Sequence, residues 1–277
     1  MKQLRMLLMS LGLLALPMVA WADRLVTAGG TITEIVFTLG AGQQVVATDQ
    51  SSTYPREATQ RPRIGYYRDL AAEGILAMDP HRLLTIEGAG RQQVLDQLVA
   101  AGVEVIVYPK PLDPDGLFSL IRRIGKDIHR TEQAHALVRQ LQQQLPAGLP
   151  MGNHKGLYLL SASDRGLIAA GQDTVPALLF SYVGIHNVAD THQGFKAINR
   201  EALLLANPDF LVVPDHMVAS LGGQQALCDL PVLALLPAAQ QCNVLIMDGL
   251  ISLGMTPRLP EGISTLNAFV TTQASLP

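Results

Sequence analysis

From residue 25 onward, short β-branched runs alternate with stretches whose apolar residues recur at helical spacing. Residues 25–27, 45–47, 82–86 and 103–108 read as strands, and residues 33–39 and 92–101 between them read as helices. That order predicts βαβ units building a mostly parallel sheet, an α/β fold. A polar, strongly helical stretch then runs over 115–145. Its second half opens at Thr131-Glu132 and carries Leu137, Val138, Leu141 and Leu145 on one face. The alternation resumes through 156–160, 175–182, 200–206, 210–213 and 243–247, and a helix near 260–271 closes the chain.

The two halves echo each other. Residues 73–80 (EGILAMDP) align without gaps on 201–208 (EALLLANP), and each segment precedes an apolar strand; a weaker echo sets 31–45 on 174–188. The period is too long for a solenoid. It predicts two related α/β lobes, 23–129 and 147–277, joined by a helix at 130–146, with a cleft facing the carboxyl ends of the strands, where ligands of such sheets bind.

The first residues set the compartment. Lys2 and Arg5 precede an apolar run over 6–19, and Ala20-Trp21-Ala22 is a small-x-small cleavage site, so 1–22 reads as a secretory signal peptide. The run is shorter than the roughly 20 residues that cross a bilayer. Cleavage before Asp23 would remove the one tryptophan and two cations, making a chain of formal charge −3 more acidic still. Such a charge asks for neither nucleic acid nor an anionic membrane. Cys228 and Cys242 are the two cysteines, and an oxidising compartment predicts that they pair.

Catalytic signatures are scarce, with no Gly-x-Ser-x-Gly, phosphate loop, dinucleotide fingerprint or His-Glu-x-x-His, and no enzyme is expected. The seven histidines lack the paired spacing of a zinc site. The informative segment is Ile64-Gly65-Tyr66-Tyr67-Arg68-Asp69-Leu70, expected in a loop ahead of a helix starting near Asp69. A guanidinium close to a phenol favours the phenolate, a hard anionic oxygen suited to ferric iron and a known axial ligand of haem. Either tyrosine meets that description. Glu87-Gly88-Ala89-Gly90 after the strand at 82–86 would let the backbone approach a flat ligand. Gly254-Met255-Thr256-Pro257-Arg258 sets a cation ahead of the last helix, within reach of the tyrosine or of a ligand carboxylate if the lobes face each other.

Gly65-Tyr66-x-Arg68, Glu73-Gly74-Ile75-Leu76, Glu87-Gly88-Ala89-Gly90, Ala169-Ala170-Gly171, Ser220-Leu221-Gly222-Gly223, Met247-Asp248-Gly249 and Pro257-Arg258 together resemble the haem-binding periplasmic proteins of Gram-negative haem ABC transporters. The resemblance implies a class III periplasmic binding protein, two Rossmann-like lobes bridged by a single long helix. It implies a periplasmic location, haem as transported ligand, a dedicated inner-membrane permease with its ATPase, and an outer-membrane haem receptor upstream. It also implies that Tyr66, directly after Gly65, is the axial ligand, that Arg68 supports its phenolate, and that Arg258 belongs to the opposing wall. Glu73 and Glu201, one per lobe, are implied to dock on permease arginines. His216 is the nearest histidine candidate for the second lobe's wall, with a rim position as its other reading, and one haem or two is left open. A ferric siderophore or corrinoid on the same architecture is the competing ligand; an enzyme acting on haem and a zinc or manganese binder are further alternatives.

Overall fold

Leu25–Ala28 (β1) is buried at every position, as a strand covered on both faces must be. It lies in the middle of a four-stranded, wholly parallel sheet of order β2-β1-β3-β4, completed by Val45–Thr48 (β2), Arg82–Ile86 (β3) and Glu104–Tyr108 (β4). The crossovers are Gly30–Thr38 (α1), the short helices Arg56–Thr59 (α2) and Ala72–Leu76 (α3), and Gln92–Ala100 (α4). The computed structural model describes residues 23–163 and 166–273, so the signal peptide expected at 1–22 lies outside the described residues.

The polar helical stretch resolves into two helices, Pro114–Asp127 (α5) and Thr131–Gln144 (α6), packed on each other across a three-residue turn. Asp113 starts α5 by accepting from the Gly116 N–H at 2.7 Å, with Pro114 in the first turn, where its missing N–H costs nothing. Helix α6 leads to the second sheet. There Lys155–Ser163 (β5) is central in the order β10-β9-β5-β6-β8, formed with Gly166–Ala170 (β6), Phe195–Ile198 (β8), Phe210–Pro214 (β9) and Val244–Met247 (β10); His186–Asn187 (β7) pairs with the start of β5. The helices of this half are Val175–Val183 (α7), Arg200–Ala206 (α8), Asp215–Leu221 (α9), Gln224–Cys228 (α10), Pro237–Gln240 (α11), Gly249–Leu253 (α12) and Leu259–Gln273 (α13). Strands β6 and β8 run antiparallel, so this sheet is mixed where sequence patterning pointed to a mostly parallel one.

The internal echo has a structural counterpart. Helices α3 and α8 lead to a left-handed residue, Asp79 (φ 49°) and Asn207 (φ 44°), then a buried proline, then β3 and β9. Asp and Asn are the non-glycine residues that enter this region most readily, which is why they occupy the aligned position.

Three apolar clusters hold the molecule. One covers the outer face of the first sheet (Val26, Ile75, Leu83, Leu98), and one the outer face of the second (Leu157, Leu203, Leu211, Leu227). The third is continuous through both halves, from Ile32 and Ile35 of α1 through Ile121, Ile124 and Leu141 to Phe180, Phe210, Ile251 and Leu266. The lobes therefore share a core rather than meeting only at a linker. Cys228 and Cys242 are joined by a disulfide, with Cα atoms 5.5 Å apart, at the edge of the second lobe. Among the described residues, no helix is long and apolar enough to cross a membrane.

Candidate functional site

The carboxyl end of β2 runs into Asp49, a fully buried carboxylate surrounded by donors. One oxygen accepts from the Gly29 N–H (3.0 Å) and Ser52 Oγ (2.7 Å); the other accepts from the Ser51 N–H (3.0 Å), Ser51 Oγ (2.7 Å) and the Tyr67 N–H (3.2 Å). A buried carboxylate needs this many partners to offset its desolvation. Here they tie the start of α1, the loop after β2 and the tyrosine segment to a single point. The Gln50 N–H also donates to the Gly65 carbonyl at 2.8 Å. Gly65 then turns with φ 88°, a left-handed conformation that a side chain would strain.

Directly after that turn stand the two tyrosines, with rings in edge contact at 4.9 Å. Tyr66 is 43% exposed and Tyr67 is half-buried against the first lobe's core. Residues Tyr67–Asp69 form a single 3₁₀ turn, and the helix expected near Asp69 begins at Ala72 instead. Burial pushes the Tyr67 phenol up to about 12; its neighbour Tyr66 and Asp49 add to the rise, and Arg68 opposes it. The Arg68 guanidinium lies over the Tyr67 ring at 4.9 Å. It also reaches Gly88, its Nη1 standing 3.6 Å from where a Cβ on that residue would be. The Gly90 N–H donates to the Tyr67 carbonyl at 2.9 Å. Tyr66, Arg68, Glu87 and Gly88 are thus brought together at the carboxyl edge of the first sheet.

Sequence reasoning passed over two contributors here. Asp49 stands outside any motif, and two of its five donors, the Gly29 and Tyr67 N–H groups, lie 20 and 18 residues away. Lys110 follows β4, its N–H 3.5 Å from Glu87 Oε2, and its ammonium pKa is lowered by burial first and by Arg68 second, with Glu87 opposing.

On the second lobe, His216 lies in the first turn of α9 with an exposed imidazole, 3.7 Å from the Asp215 carboxylate. Asp215 accepts from the Gly249 N–H at 3.0 Å, which joins the carboxyl ends of β9 and β10. A Cβ on Gly249 would collide with His216 Nδ1, so the imidazole rests on that backbone. This is a rim position on the second sheet's carboxyl edge.

Arg258 crosses between the lobes, as expected, but to other partners than the tyrosine pair. Its Nη2 lies 3.1 Å from Glu34 Oε2 on α1 and its Nη1 3.6 Å from Asp248, while the guanidinium stacks on the Tyr54 ring at 3.9 Å. Glu34 is 1% and Arg258 14% exposed. Burial raises the Glu34 carboxyl pKa, and Arg258 and Thr256 only partly counter that. Beside this pair Gly30 meets Leu250 of α12 and the Ser51 carbonyl so closely that no Cβ would fit. Glu34, Tyr54 and Arg258 also line a cavity of about 270 Å³ with Gln140 and Gln144 of α6 and Glu261 of α13. These contacts form the seam between the lobes.

Glu73 and Glu201 are exposed residues in the first turns of α3 and α8, one on each lobe. Both helices lead to the amino ends of β3 and β9. Among the described residues no three His, Cys, Asp or Glu side chains converge as a metal site.

Comparison with known proteins agrees with this fold. A model of the periplasmic binding protein family matches residues 25–249. The periplasmic haem-binding protein RhuT of Roseiflexus sp. RS-1 is 31% identical and superposes with a TM-score of 0.84 over 92% of this chain and 100% of that one. The periplasmic haem-binding protein HutB of Vibrio cholerae is 33% identical, with a TM-score of 0.78 over 90% and 99% of the two chains. A vitamin B12-binding protein of Yersinia pestis (strain Pestoides F) is 27% identical over 207 residues, 73% of each chain. These relatives are binding proteins and not enzymes. With its family model matched over both lobes, the chain belongs to the periplasmic binding protein family.

Proposed function

We propose that this protein captures ferric haem in the interlobe cleft, with the Tyr66 phenolate as axial ligand, and delivers it from the periplasm to the permease of an inner-membrane ABC transporter. The observation that carries the reading is the pairing of an exposed Tyr66 with a half-buried Tyr67 on a loop that Asp49 and Gly65 fix in place. Tyr67 keeps its proton to about 12 and packs inward; Tyr66 is the phenol that faces the ligand. Arg68, two residues after Tyr66, supplies positive charge to the same edge. The haem-binding proteins from Roseiflexus and Vibrio support haem as the ligand class.

In this reading the turn at Glu87 and Gly88 forms the first lobe's wall and His216 stands on the opposite rim. Arg258 fixes how the two walls face each other. Glu73 and Glu201 dock on cationic residues of the permease, one contact per lobe, after an outer-membrane receptor has supplied the haem.

The test is an absorption titration of mature protein with ferric haem, repeated on Tyr66→Ala and Tyr67→Ala. A saturable Soret band with phenolate-to-iron charge transfer, lost in the first variant and kept in the second, is the expected result. A corrinoid is the second reading, favoured by the vitamin B12-binding relative. Saturable cyanocobalamin binding with none for haem would put it in first place.

A further inference from the structure

The first sheet ends in two edge strands that the fold treats differently. Along β2 the chain after α2 runs parallel: the Thr48 N–H donates to the Pro62 carbonyl at 3.0 Å, and the Ile64 N–H donates to the Thr48 carbonyl at 3.0 Å. Beyond β4 the sheet order ends. The Glu104 N–H donates to the His81 carbonyl at 3.0 Å, and the Tyr108 carbonyl accepts from the Glu87 N–H at 2.8 Å, so the even-numbered residues of β4 turn their backbone groups toward β3. Backbone direction alternates along a strand, and the N–H and C=O of Val105 and Val107 therefore point out of the sheet. Among the described residues no hydrogen bond outside the β3–β4 ladder takes them up.

An open edge is ordinarily blunted by a lysine, a proline or a bulge. Strand β8, at an edge of the second sheet, carries Lys196. Strand β4 reads EVIVY, keeps an unbroken register with β3, and leaves Val107 40% exposed. Its side chains alternate as well. Val105 packs with the outer-face cluster, whereas Ile106 and Tyr108 face the core shared by the lobes, and Glu104 lies on their side of the sheet. Over the Tyr108 ring, 5.2 Å from its centre, stands the Arg123 guanidinium of α5. Glu104 and Arg123 are both exposed, and among the described residues neither closes an ion pair.

We propose that β4 is a self-pairing edge, through which two copies of this chain join antiparallel about a two-fold axis at Ile106. In that register Val105 of each copy stands opposite Val107 of the other. Such a pair exchanges two hydrogen bonds, so every outward N–H and C=O of the two valines finds a partner. Glu104 falls opposite Tyr108 of the second copy, with Cβ atoms about 5 Å apart, and thus beside the Arg123 that covers that ring. No like charges oppose each other, and an acid meets a cation on either side of the axis. This charge fit names a second copy, and not a strand of another protein, as the occupant. Because the joined strands run antiparallel, the carboxyl edges of the two first-lobe sheets point in opposite directions.

The experiment is sedimentation velocity on the mature protein over about 1 to 300 μM, the range in which small interfaces exchange. The parent should show a reversible monomer–dimer equilibrium. Val107→Lys should weaken it at least about tenfold, by placing a charge on the paired edge. Glu104→Arg and Arg123→Glu should each weaken it severalfold, and the double variant should recover most of the loss, a compensation that a merely structural role of either residue would not produce. Amide exchange supplies a second readout on the parent: Val105 and Val107 should become protected as the concentration rises, while Glu104 and Ile106 are protected throughout. A parent that stays monomeric over the whole range overturns self-pairing and leaves the edge to a strand of another protein. A dimer indifferent to Val107→Lys, charge reversals that do not compensate, or exchange at Val105 and Val107 that ignores concentration overturns the β4 register.

Discussion

Tyr66 and Tyr67 are neighbours in sequence with opposite surroundings, and the difference has a consequence in alkaline solution. Tyr67 has an ordinary pKa of 10 in the unfolded chain and about 12 in the folded one, raised chiefly by burial. The native state therefore holds a proton that the unfolded chain gives up first. The stability tied to this proton is intact below pH 10 and is lost as the pH rises through about 12. Urea midpoints measured across that window should fall less steeply in Tyr67→Phe than in the parent; identical slopes would mean that Tyr67 does not couple to unfolding. The tyrosine pair and Arg68 were visible as a local motif. Asp49 was not, because a lone aspartate after a strand looks like any turn residue until its five donors converge. Asp49→Ala should therefore destabilise the fold by at least about 2 kcal/mol by leaving several buried donors unpaired. It should also weaken haem binding through disorder of the Tyr66 loop, although Asp49 is buried below that loop. Haem titration beside urea unfolding checks both effects.

Among the elements, the strands of the first lobe and its helices α1 and α4 were legible because each strand is a short apolar run and each of those helices carries its own period, whereas the four-residue α2 is too short to show one. The second lobe was read less fully. Strand β6 (GLIAA) carries alanines and no β-branched alternation, and β8 (FKAI) is a partly exposed edge strand with Lys196 in it. Neither has the pattern of a buried parallel strand; β6 pairs antiparallel with β5, and β8 antiparallel with β6, the latter in a register set by residues distant in sequence. The disulfide depended on fewer unknowns, since two cysteines allow one intramolecular pairing. It ties the end of α10 to Cys242, two residues ahead of β10, across 14 positions. Closing a loop of that size contributes about 3 kcal/mol in the chain-entropy model. Cys228→Ser with Cys242→Ser should lower the unfolding free energy by about that amount while leaving haem affinity unchanged, because Cys242 lies ahead of β10, at the opposite end of that strand from the carboxyl edge that carries His216. A change in haem affinity would instead couple this edge to the cleft.

Across the whole molecule, the feature that sequence could least supply is the seam. Glu34 and Arg258 are 224 positions apart, and nothing local marks them as partners. Glu34 falls within the helix expected over 33–39 with no role of its own, and Arg258 was expected as a cleft cation. Their meeting instead spans the two lobes, with Asp248 on the guanidinium's other side and Glu261 adding to its field. Burial raises the Glu34 pKa even with Arg258 present, so desolvation outweighs the pair's attraction, and the ion pair orients the lobes more than it stabilises them. Glu34→Gln should accordingly change stability little at neutral pH. Arg258→Met leaves the carboxylate buried without its cation, a loss of about 3 to 5 kcal/mol when Glu34 is ionised. The sign of the pH dependence follows. Without Arg258 the folded-state pKa of Glu34 rises further, so the variant's deficit is largest at high pH and shrinks as the pH falls through that pKa and the carboxyl takes up a proton. Melting temperatures of parent and Arg258→Met should thus lie far apart at pH 8 and approach each other toward pH 5. A gap independent of pH would mean that the guanidinium acts through its stacking on Tyr54 and not through Glu34. Haem affinity of Glu34→Gln, measured at neutral pH where the fold is intact, then tells whether the pair's charge, as distinct from its packing, sets how the two walls of the cleft face the ligand.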